Sequence, residues 1–193
     1  IIPATINNIP VTGVASTAFN DEAYDDELPD FLETNVVTTS LSLDDIKEKW
    51  REVFPIERLD LSQTSITIIE PRTYRKLGII DLILPKTLVD IGASAFEYNN
   101  IDYLRPFPVS LLQIREKAFY HNKIGGTIFV PQNLNFIGAY AFTDNTITNV
   151  VFSIEEEFGD GIDIKEWAFA FNEIEEINIP TFASLSDGAF AYN

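Results

Sequence analysis

One short phrase recurs through this chain in register, and it leaves few folds open. Counted from the Phe of each Ala-Phe pair, the origins are Phe19, Phe96, Phe119, Phe142, Phe169 and Phe190. The last five stand 23, 23, 27 and 21 residues apart. Five residues before each origin is an aliphatic: Val14, Ile91, Ile114, Ile137, Ile164 and Leu185. Three residues after the last five origins is Asn: Asn99, Asn122, Asn145, Asn172 and Asn193. Two positions further come Ile101, Ile124, Ile147 and Ile174. Self-similarity at a fixed period marks a repeat architecture.

A weaker copy precedes these. In "IEPRTYRKLGIIDLILP" (69–85), Ile69 takes the aliphatic position, Tyr74 the Phe position and Leu77 the Asn position. The array over 60–193 therefore comprises units around Tyr74, Phe96, Phe119, Phe142, Phe169 and Phe190. The 27-residue step contains an insertion at "SIEEEFGDG" (153–161).

A unit of about 23 residues cannot bury its own hydrophobic face, but stacking units builds one continuous core. Each unit has a β-prone run ending in or near Pro, then turns through L-x-x-I-x-x-x-A-F. The expected fold is a β-rich solenoid of parallel strands stacked about 4.8 Å apart, roughly 24 Å over six coils. The Phe side chains should stack as a spine. The Asn side chains should form a ladder whose amides satisfy backbone groups at the turn.

At these residues the chain resembles a known family. "VDIGASAFEYNNIDYL", "NFIGAYAFTDNTITNVVF" and "IPATINNIPVTGVASTAF" are similar to the BspA-like leucine-rich repeats of bacterial surface proteins. The resemblance covers about 1–20 and 60–193. It departs from the family pattern at Tyr74, at the insertion, and where Gly is absent after Ile114 and Ile164. It implies a leucine-rich-repeat solenoid on a cell-surface or secreted protein that binds other macromolecules in adhesin fashion, host or extracellular-matrix proteins among them. A structural stalk is the alternative; a calcium-dependent binding module or hydrolase using the acidic loops is the outsider.

Residues 21–59 break the period. "DEAYDDELPDFLE" (21–33) carries seven carboxylates and reads as a solvated acidic loop, with a Ca²⁺ site as the sharper alternative. In "SLDDIKEKWREVF" (42–54), Ser42 is an N-cap, and Leu43, Ile46, Trp50 and Val53 share one helical face. This short N-terminal amphipathic helix is expected to cap the array or to be inserted in it, with residues 1–20 a divergent first repeat stacked on the rest.

Composition removes several function classes. The charge is −17, from 30 acidic and 13 basic residues, which argues against nucleic acid and anionic membranes. Zero Cys excludes a disulfide framework, a thiolate metal site and a Cys nucleophile. The only His, His121, is expected in an exposed turn and cannot build a zinc site alone. No membrane span is evident, no cofactor is implied, and no catalytic residue is assigned, so the chain reads as non-enzymatic. Glu157, Asp160 and Asp163 are weak Ca²⁺ candidates; a solvated insertion is the plainer reading. The start at Ile1 and the absence of Met suggest an excised piece. An array that stops in mid-repeat at Asn193 is expected to continue or to pair end to end.

Register also places the expected binding surface. Counting back from each Pro, alternate strand residues point outward. One outward row is Asp81, Tyr103, Thr127, Asn149 and Glu176; the other is Ile83, Arg105, Phe129, Val151 and Asn178. Apolar residues on an outward face mark a protein-binding site unless another segment covers them.

Overall fold

The computed structural model describes Thr5–Ile6, Ile9–Pro10, 56–153 and 161–193. The expected helix over 42–54, the Phe19 unit and the acidic loop lie outside the described residues. Among those described there is no α-helix. β1 (Thr5–Ile6) and β2 (Ile9–Pro10) pair antiparallel with each other.

The rest is a parallel β-solenoid of six coils in which each coil contributes two strands. Six strands end on the aliphatic five residues before each origin: β4 (Ile68–Ile69), β6 (Asp90–Ile91), β8 (Gln113–Ile114), β10 (Phe136–Ile137), β12 (Ile162–Ile164) and β14 (Ala183–Leu185). They form one unbroken parallel sheet in coil order. This differs from the sequence expectation, which read the L-x-x-I stretch as turn. Two-residue strands carry too little alternation to be seen in one copy; the neighbouring coil makes them strands.

The strand after each Asn is the one the sequence anticipated, but here the sheet is split in two. β3 (Arg58–Asp60), β5 (Asp81–Ile83) and β7 (Tyr103–Leu104) form one parallel sheet. β9 (Gly125–Val130), β11 (Thr146–Phe152) and β13 (Glu176–Ile177) form another. Pro106 and Pro108 lie just beyond β7 and have no N–H to offer a ladder. On the other side Gly126 has φ 72° and the β9–β11 register slips between Ile147 and Asn149. The bulge restores the pleat, so that Ile128 and Val150 both remain inside.

Between the two strands each coil turns through an arc with two left-handed corners. The first corners are Arg72, Ser94, Lys117, Tyr140, Trp167 and Gly188; the second are Lys76, Tyr98, His121, Asp144, Phe171 and Tyr192. All have φ between 53° and 66°, and only one is Gly. Left-handed backbone costs a non-Gly residue roughly 1–2 kcal/mol. Coil-to-coil hydrogen bonds hold it in place. Ser94, Phe96 and Tyr98 donate their N–H groups to Glu116, Ala118 and Tyr120, at 2.8, 2.8 and 3.0 Å. Pro then opens the return turn: Leu88, Leu111 and Leu134 donate to the carbonyls of Pro85, Pro108 and Pro131.

The core runs the length of the stack. Phe96, Phe119, Phe142 and Phe169 are wholly buried. Their rings stack at 5.2, 5.2 and 4.9 Å, within 10° of parallel, and Tyr74 and Phe190 extend the spine at either end. Gly92 and Gly138 follow the strand aliphatic because the preceding coil lies against them. A Cβ on Gly92 would sit 2.6 Å from the Ile69 carbonyl oxygen, and one on Gly138 would sit 2.6 Å from the Arg115 carbonyl carbon.

Candidate functional site

Three surfaces follow from this frame: the Asn ladder inside the arc, the strand face, and the second row of arc corners. The ladder is structural. Asn145 donates Nδ2–H to the carbonyls of Phe119 and Phe142, both at 3.0 Å, and its Oδ1 accepts the Ile124 N–H at 3.0 Å. Asn122, Asn172 and Asn193 repeat the same three bonds. Asn99 holds Tyr74 and Phe96 and accepts from both Leu77 and Ile79. Every Asn thus fastens its own coil to the preceding one, as the recurring Asn suggested. Leu77 stands where the Tyr74 coil would carry its own.

On the strand face the expected rows are real where a ladder connects them. Asp81 pairs with Tyr103 in register. Thr127, Asn149 and Glu176 pair across β9, β11 and β13, and Phe129 pairs with Val151. No ladder joins Tyr103 or Arg105 to Thr127 or Phe129, because the sheet divides there. Tyr103 is 54% exposed, Phe129 44% and Val151 38%. Arg105, Glu176 and Asn178 are also exposed, while Asp81, Ile83, Thr127 and Asn149 are half-buried. Asp81 is held between two cations, with Arg58 at 3.2 Å and Arg105 at 2.5 Å. Beyond Ile177 the coils part, since β13 ends there while β11 runs on to Phe152. A cleft of about 870 Å³ opens between Val151–Phe152 and Asn178–Phe182.

Of the calcium candidates, Asp163 lies in β12 and binds the Lys165 ammonium at 2.7 Å. That bond holds its carboxyl below the usual range. Glu157 and Asp160 lie outside the described residues. Among the described residues no group of three or more His, Asp or Glu side chains converges as a metal site. His121 is an exposed corner residue; its Nδ1 meets Asp144 Oδ2 and its ring lies 4.9 Å from Tyr98. Where Gly is missing after Ile114, Arg115 reaches back to fork the Asp90 carboxylate, at 2.6 and 3.0 Å.

The sequence matches the BspA-type leucine-rich-repeat region in 6 copies over residues 45–162, more than half of the chain. The chain belongs to the BspA-type leucine-rich-repeat family. Its regular coils continue past the matched span, since Phe169, Asn172, Phe190 and Asn193 keep the spine and the ladder. Proteins with BspA-type repeats are commonly surface-exposed or secreted, and the family is generally non-enzymatic. Searches of curated proteins and of solved structures returned no significant match. Among the described residues no helix is long and apolar enough to cross a membrane.

The corner rows were missed at the sequence level. Their residues share neither size nor charge, and a left-handed corner is ordinarily sought as Gly or Asn. The available signal was negative: the one variable position between each conserved Phe and its Asn that is free of the core.

Proposed function

We propose that this protein is a non-enzymatic, extracellular or cell-surface binding protein whose ligand is another protein, docked on the outward strand face. The carrying observation is the pairing of Phe129 with Val151 on adjacent strands, both large, apolar and exposed, with the exposed Tyr103 on the same face. Exposed aromatic and aliphatic side chains in register cost solubility and supply the hot-spot chemistry of protein interfaces. The exposed Arg105, Glu176 and Asn178 form a polar rim, with Asp81, Ile83, Thr127 and Asn149 half-buried in the same rows. The cleft beside Val151 and Asn178 gives the partner a place to insert a side chain or a loop. Membership in a family of commonly surface-exposed proteins agrees with this reading and makes host or matrix proteins the first partners to test.

The test is retention of the protein by a panel of immobilised extracellular-matrix proteins, repeated with Tyr103→Ala/Phe129→Ala. The expected result is saturable binding to at least one of them, weakened at least about tenfold by the double substitution. Unchanged affinity for the double variant would reject the strand face, and absence of binding to the whole panel would favour a spacer role.

A further inference from the structure

We infer that the second-corner row of the Phe142, Phe169 and Phe190 coils is a separate docking site for an arginine-bearing segment of a partner protein, stacked on Phe171 and Tyr192 and ion-paired with Asp144. The row projects outward because its backbone is left-handed, and hydrogen bonds fix its spacing. Asp144 N–H donates to the Ala170 carbonyl at 3.1 Å, and Phe171 N–H to the Ala191 carbonyl at 3.0 Å.

Along this row neighbours interact in sequence. The Lys76 ammonium lies 5.7 Å from the centre of the Tyr98 ring, Tyr98 meets His121, and His121 bonds Asp144. Phe171 and Tyr192 then stack at 4.6 Å and 5°. Trp167, a first-corner residue, backs them at 6.3 and 5.9 Å. Among the described residues no interaction joins Asp144 to Phe171. The row therefore breaks between a carboxylate and an aromatic ring, and Phe171, which has a coil on either side of it, is 50% exposed.

Charge selects the occupant. From Ile124 onward the described residues include Asp144, Asp163, Glu166, Glu173, Glu175, Glu176 and Asp187. They include one Lys or Arg, Lys165, which Asp163 binds. An aromatic surface in such a field attracts a cation, as the row already does at its other end with Lys76 over Tyr98. A guanidinium can do both tasks at once, stacking its plane on a ring while its edge donates to a carboxylate. An ammonium is a point charge and gains less from the ring. This site is independent of the strand face, and either can fail without the other.

The probe is a nine-residue peptide of alternating Arg and Gly, compared with its Lys counterpart. Titration calorimetry on the unmodified chain gives affinity at physiological ionic strength. Trp167 emission in a Trp50→Phe background, where it is the only Trp, reports the location. The Arg peptide should bind saturably, perturb Trp167, and bind more tightly than the Lys peptide. Phe171→Ala/Tyr192→Ala should weaken it about tenfold and Asp144→Asn several-fold. Tyr103→Ala/Phe129→Ala should leave it unchanged. Asp144, Phe171, Tyr192, Tyr103 and Phe129 are exposed, so their substitution should leave far-UV circular dichroism unchanged. Equal affinity for the two peptides, absence of saturable binding, or a Phe171/Tyr192 double variant that binds as the parent does would each overturn the proposal.

Discussion

Removing one fastener tests the whole account of how the coils are joined. Asn145→Ala deletes two donors and one acceptor from the middle of the stack. The losses are unequal. The Phe119 carbonyl keeps the bond from Asn122 at 3.2 Å, and the Phe142 carbonyl keeps that from Asn172 at 2.9 Å. Each lost carbonyl bond should therefore cost only about 0.5 kcal/mol. The Ile124 N–H has no such substitute; it donates to Asn145 Oδ1, and both residues are buried. An orphaned buried donor costs about 1–3 kcal/mol, so the total is about 3 kcal/mol. With a urea slope of about 2 kcal/mol per molar, the midpoint should fall by about 1.5 M. Equilibrium urea unfolding followed by circular dichroism measures it. Asn145→Asp should be worse at pH 7, because a carboxylate would face the Phe119 and Phe142 carbonyl oxygens with no proton to share. It should partly recover on acidification, since its folded pKa would be raised and the protonated acid can donate. A cost below about 1 kcal/mol for Asn145→Ala would refute the reasoning.

Two further measurements probe the frame. Gly138→Ala should destabilise by about 1–3 kcal/mol, read from the same urea midpoint, because its Cβ would drive into the backbone at Arg115 and Glu116. Hydrogen bonds from the Ser62 hydroxyl and backbone N–H lower the Asp60 carboxyl from 3.8 to about 2. A depressed carboxyl pKa adds stability that is complete above the unfolded value and lost as pH falls through the folded one. Asp60→Asn should therefore flatten the acid limb of stability against pH between about 4 and about 2, and an unchanged limb would count against it.

The features legible in the sequence were those that repeat for a reason internal to one coil. Phe96 and its equivalents must be aromatic to stack, and Asn99 and its equivalents must both donate and accept, so letter identity survives from copy to copy. Ladder partners such as Phe129 and Val151 were found by counting, because register is conserved even when residue type is not. What escaped was fixed by the neighbouring coil rather than by local pattern. Asp90–Ile91 is a strand only because Ile68–Ile69 and Gln113–Ile114 flank it. Tyr98 and Phe171 are left-handed because hydrogen bonds from their N–H groups to the next coil outweigh their own preference. The division of the strand face at Pro106 and Pro108 was written in plain letters, yet two prolines look like a boundary only beside the two glycines that open β9.

The fasteners all point one way, and this gives the stack a polarity like that of plugs and sockets. Each coil from Phe96 onward carries its plug, the Asn, and presents the socket for a following one, the Phe carbonyl and the N–H of the Ile two residues after its Asn. The Tyr74 coil presents a socket but carries no plug. A coil grafted after another brings its own connector. A coil grafted ahead of the Tyr74 unit would meet Leu77, which has no plug to offer it. Shortened or lengthened versions of this protein should therefore be cut in phase, from one Asn to the next, and extension at the leading end should begin with Leu77→Asn.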